Sequence, residues 1–106
     1  MPRRMYQIGD KSHSLLKSGD YLRGTCLALA MWDKAQNLSR NRNVQLSIAA
    51  YNVAVGLKGQ GCKPMACSWL KRAFGLRRAS KISKRIGSHC KNFRRWGCGG
   101  IPSACN

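Results

Sequence analysis

The chain has 106 residues, 43% of them hydrophobic, and its twenty lysines and arginines stand against three acids for a formal net charge of +17. That length suits one small domain with a modest core, and the hydrophobic share excludes a chain too polar to fold. With Asp10, Asp20 and Asp33 the only carboxylate side chains, paired-carboxylate and magnesium chemistry are almost excluded as well.

Taken in order, residues 1–10 predict an irregular arm, and Ser12–Lys17 a short turn of helix. Asp20 is placed to cap a helix running to about Leu38, with Leu22, Cys26, Leu29, Ala30 and Trp32 among its apolar residues. The run 39–43, SRNRN, is a connector whose Asn43 caps the next helix, about Val44–Leu57. There Val44, Ile48, Tyr51 and Val55 share one face, and Leu46, Ala50, Val53 and Leu57 a neighbouring one. Two uncharged faces imply a central, buried helix. A strand at Val53–Leu57 competes, because β-branched residues cluster there.

Lys58-Gly59-Gln60-Gly61 breaks the chain, and Pro64 suits the first turn of a third helix, about Pro64–Phe74. Gly75 is expected to interrupt it. A fourth helix follows from Leu76 toward Phe93, with a weak point at Gly87. The closing ten residues, GCGGIPSACN, exclude regular helix. The expectation is one all-α domain over 1–106 with about four helices. Residues 20–57 form its core, 62–97 its basic region and 98–106 an irregular tail rich in cysteine and glycine.

Charge is distributed unevenly. From Lys34 to Asn106 the chain carries fifteen basic residues and no acidic one. Self-repulsion of that kind costs stability unless an anion relieves it, and nucleic acid is the densest common polyanion. Read as a helix, Leu76–Trp96 puts Leu76, Ala79, Ile82, Ile86, Cys90 and Phe93 on one stripe. Arg77, Arg78, Lys81, Lys84, Arg85 and Arg95 then lie opposite, with Arg94 near the boundary. With no acid at i±3 or i±4, these cations are uncompensated. Arg72 and Lys91 join them as expected phosphate contacts.

Two helical stretches, 64–74 and 77–86, would flank Gly75-Leu76, a turn that suits a helix-turn-helix. The stretch RAFGLRRASKISKRI resembles helix-turn-helix segments of DNA regulators and replication initiators over roughly 20 residues. That resemblance implies a second helix offering Arg77, Arg78, Ser80, Lys81, Lys84 and Arg85 to a groove. The aromatics Trp69, Phe74, Phe93 and Trp96 lie among the cations. Trp69 and Phe93 read as core, and Trp96 as the exposed ring able to stack on an unpaired base.

Six cysteines, Cys26, Cys62, Cys67, Cys90, Cys98 and Cys105, raise the question of compartment. The N-terminus has no apolar run behind its arginines, so it does not read as a secretory signal. An intracellular protein with free thiols or a zinc site is expected. Cys62, Cys67, Cys90 and Cys98 form the candidate zinc set, with His89 and Cys105 nearby; a Cys98–Cys105 disulfide is an alternative. Cys26 reads as a buried small hydrophobe. A cysteine–histidine nucleophile built on His89 lacks an orienting carboxylate in the second half of the chain. No phosphate-cradling glycine motif is present.

The function expected is therefore nucleic-acid binding, to DNA or RNA, by a non-enzymatic protein of small regulatory, viral or phage type. The alternatives are a cationic protein acting at a membrane surface and a structural component of a ribonucleoprotein particle.

Overall fold

The computed structural model describes residues 3–81 and 86–106. Among the described residues the chain forms five α-helices and no strand: α1 (Arg3–Lys17), α2 (Tyr21–Ala35), α3 (Arg42–Gly59), α4 (Lys63–Ala79) and α5 (Ile86–Arg95). A short 3-10 turn, Ser103–Cys105, ends the chain. The radius of gyration is 12.9 Å, which matches a compact domain of this length.

Helix α3 is the centre. It packs against α2 on one side and α4 on the other, and also touches α1. Leu46, Ala49, Ala50, Val53 and Ala54 are buried, whereas the expected second face of Val44, Ile48, Tyr51 and Val55 is only half-buried. The strand alternative at Val53–Leu57 is not taken. One cluster joins Met31 and Ala35 of α2 to Leu46 and Ala49 of α3. The other joins Ala54 to Ala66, Leu70 and Phe74 of α4, and to Cys90, Phe93, Trp96 and Cys98.

Asp20 caps α2 as expected, its carboxylate accepting from the Arg23 N–H at 3.3 Å. Pro64 sits in the first turn of α4, where its missing N–H has no intrahelical role. Helices α2 and α3 approach closely at Gly56. A Cβ there would stand 1.8 Å from Thr25 Oγ1. Thr25 cannot yield readily, since its hydroxyl donates to the Tyr21 carbonyl and accepts from Gln60 Nε2 at 3.1 Å. We expect Gly56→Ala to lower stability by about 1–3 kcal/mol, measured by urea denaturation.

Three sequence expectations are corrected. Residues 3–10 are helical, not an irregular arm. Helix α4 runs unbroken through Gly75, whose Cβ position is open space. A helical glycine costs only about 1 kcal/mol, and the flanking side chains hold both halves: Phe74 against Phe93, and Leu76 against the α2–α3 cluster. The turn required by a helix-turn-helix is therefore absent at Gly75-Leu76. The break falls later. Ser80 caps α4 and donates its hydroxyl to the Leu76 carbonyl at 2.9 Å, and Lys81 takes a left-handed φ of 57°. Gly87 lies inside α5.

Candidate nucleic-acid interface

The basic region is built from α4 and α5, and the tail, which carries no lysine or arginine, is bonded to both. On α4, Lys63, Cys67, Lys71 and Arg78 fall within one sector of the helix surface at 100° per residue. Lys63, Lys71, Arg72 and Arg78 are exposed. On α5, Lys91, Arg94 and Arg95 share a second sector, and all three are exposed. Lys81, just past α4, is exposed as well.

Two disulfides tie the tail to both helices. Cys67 of α4 is bonded to Cys98, and Cys90 of α5 to Cys105. The loop 97–100 consequently lies along the cationic side of α4. A Cβ on Gly97 would come within 3.1 Å of Lys63 Nζ, and one on Gly100 within 3.4 Å of Lys71 Nζ. The Arg94 guanidinium donates to the Cys105 carbonyl. Two of the arginines rest on rings: Arg72 lies 4.6 Å from the Trp69 ring centre and Arg78 5.9 Å from that of Phe74. Such stacking orients a guanidinium while leaving its edge able to donate.

Electrostatic compensation is scarce. The ion pair Arg23–Asp20, at 3.3 Å, lies at the start of α2 and far along the sequence from these cations.

Several expected site residues are placed differently. Arg77 is buried, 6% exposed, so it does not belong to the outward cationic row. It continues the buried line Ala66, Leu70, Ala73 and Phe74 of α4. Trp96 is buried too, at 8%, packed in the cluster around Phe93 rather than presented to a base. Lys84 and Arg85 lie outside the described residues. Lys63 and Lys71, absent from the expected set, join the row through their i, i+8 spacing around Cys67.

The zinc set does not assemble. Cys67, Cys90 and Cys98 are consumed in disulfides, and Cys62 is left as a half-buried thiol. A disulfide sulfur has no thiolate to offer a metal. Among the described residues no group of three or more histidines, cysteines and acids converges. The Cys98–Cys105 pairing is likewise replaced. Cys26 is an exposed thiol rather than a buried one. Two structural disulfides form and persist in oxidising surroundings, which counts against the free-thiol expectation. Alkylation of the native, unreduced protein should modify two cysteines, Cys26 before Cys62. Mass spectrometry showing six modified cysteines would contradict the pairing.

Among the described residues, no helix is long and apolar enough to cross a membrane. Comparisons with protein-family models, with curated proteins and with solved structures returned no match in any of the three.

Proposed function

We propose that this chain binds nucleic acid through phosphate contacts along α4 and α5, and that it acts by binding rather than catalysis. One observation carries this reading: Lys63, Lys71, Arg72, Arg78, Lys81, Lys91, Arg94 and Arg95 are all exposed, in a stretch of sequence without a carboxylate side chain. Polyphosphate chains neutralise such a row and release their counterions on doing so. With α4 continuous through Gly75, the geometric reason for favouring duplex DNA is gone, and DNA and RNA are equally served by a row of cations. A small regulatory or phage-type role fits the size, and a place inside a ribonucleoprotein particle uses the same surface.

The test is a variant with Arg72, Arg78, Lys81 and Lys91 changed to glutamine. These side chains are exposed, so circular dichroism should stay that of the parent. Removing four phosphate contacts should weaken binding to a labelled oligonucleotide by about 10²–10³-fold at 100 mM salt. Parental affinity in the folded variant would refute the proposal.

A second reading has its own observation. Leu22 and Leu29 of α2 are exposed, at 66% and 39%, beside exposed Cys26. Leu22 and Cys26 line a cleft of about 350 Å³ together with Lys11, Leu15 and Arg23. Apolar residues flanked by cations suit an anionic lipid surface. Co-sedimentation with phosphatidylserine vesicles that is lost on Leu22→Asn, with no oligonucleotide binding by the parent, would favour it.

A further inference from the structure

A second concave feature lies where the start of α2, the end of α3 and the end of α5 meet. It is a cavity of about 380 Å³ lined by Tyr21, Tyr51, Lys58, Asn92, Arg95 and Trp96. That volume is in the range that holds a small organic ligand. Three of these residues are aromatic and two are cationic, and none of the three carboxylates lines it.

The walls are held in place. Tyr21, 36% exposed, lies over Gly59, where a Cβ would stand 2.3–2.5 Å from its ring carbons. Only glycine at the end of α3 admits the ring there. Tyr51 stacks on buried His89, with ring centres 4.7 Å apart and planes 17° from parallel. Its phenol oxygen accepts from Asn92 Nδ2 at 2.7 Å. The phenol keeps its own proton to donate, and the Asn92 side-chain carbonyl supplies an acceptor beside it. A fixed donor–acceptor pair next to aromatic faces is what the hydrogen-bonding edge of a nucleobase matches. Lys58 and Arg95 supply the charge for a phosphate on the same ligand.

We infer that this cavity takes an unpaired nucleotide, its base against Tyr21 and Tyr51 and its phosphate at Lys58 and Arg95. A base inside a duplex has both faces covered by its neighbours, so the cavity selects single strands or free nucleotides. The inference rests on the proposed nucleic-acid binding and shares Arg95 with that cationic row, but none of Arg72, Arg78, Lys81 and Lys91 lines the cavity.

The experiment uses the disulfide-intact chain and three probes: a fluorescein-labelled single strand, the same strand as a duplex, and AMP as competitor. Tyr21→Ala should weaken single-strand binding by about ten- to a hundredfold while leaving duplex affinity as in the parent. Lys58→Gln, a surface change that does not touch packing at Gly59, should weaken single-strand binding severalfold. Displacement of the strand by AMP would place recognition on the nucleotide itself; a strand that AMP does not displace would place it on the polymer. Parental single-strand affinity in both variants overturns the inference, and so does an equal loss of single strand and duplex in Tyr21→Ala. If the four-glutamine variant binds like the parent while Tyr21→Ala does not, the α4 row fails and the cavity stands.

Discussion

Raising salt from 50 to 200 mM should lower the affinity of this chain for a nucleic acid by roughly 10³–10⁴-fold. The expectation follows from counting. Eight cations, Lys63, Lys71, Arg72, Arg78, Lys81, Lys91, Arg94 and Arg95, are exposed on or beside α4 and α5. Each phosphate contact contributes a slope of about −0.9 in log affinity against log salt for duplex DNA. Engaging six to eight of them gives a slope of roughly −5 to −7. A hydrophobic or base-dominated interface would give a shallow dependence, because little counterion is released. Fluorescence anisotropy at four salt concentrations measures it, and a slope of about −1 would mean that most of these side chains touch solvent only.

Removing the disulfides should cost the fold much of its stability. Cys67 and Cys98 are 31 residues apart in sequence, and Cys90 and Cys105 are 15 apart. Loop-closure entropy assigns such crosslinks about 3–4 kcal/mol each, against a total of about 5–15 kcal/mol for a small domain. The sulfurs of Cys67, Cys90 and Cys98 also fill the cluster around Phe93 and Trp96, so the loss is one of packing as well. We expect Cys67→Ala with Cys98→Ala to lower the urea midpoint sharply. Nucleic-acid affinity should fall with it, since the tail along Lys63 and Lys71 is no longer held. An unchanged midpoint would show that the crosslink is incidental to the fold.

The helices that could be read in the sequence were those whose signals are chemical and local. Asp20 before an apolar run, uncharged faces from Val44 to Leu57, and Pro64 after a glycine break each name an element, and the structure has each of them. Helix α1 was legible only at Ser12–Lys17, because its packing side mixes the apolar Ile8 and Leu16 with small residues. Ser12 is fully buried and donates to the Gly24 carbonyl at 2.7 Å, while Gly9 faces Met31. Hydrophobic periodicity does not register a serine and a glycine as contacts.

Gly75 misled for a related reason. Glycine marks a turn only where flanking contacts do not hold the helix, and here Phe74 and Leu76 hold it. Starting a new helix at Leu76 reset the phase of the stripe and moved Arg77 outward. The unbroken α4 continues the line from Leu70 through Phe74 and buries Arg77. Cysteine pairing was not legible, because six cysteines allow fifteen complete connectivities and further partial ones, of which this two-bridge arrangement is one, and the choice depends on tertiary contacts. Trp96 was misplaced for the same reason: its burial comes from the tertiary cluster of Ala54, Phe74 and Phe93, which no local pattern shows. The cavity at Tyr21 and Tyr51 joins α2, α3 and α5, and no local pattern brings those residues together.

The sharpest trial of the phosphate-binding surface compares salt slopes rather than single affinities. Measured side by side on the same labelled oligonucleotide, the four-glutamine protein should show a slope smaller than the parent's by about 3–4, one contact's worth for each side chain removed. Identical slopes for the two folded proteins would mean that Arg72, Arg78, Lys81 and Lys91 never meet a phosphate.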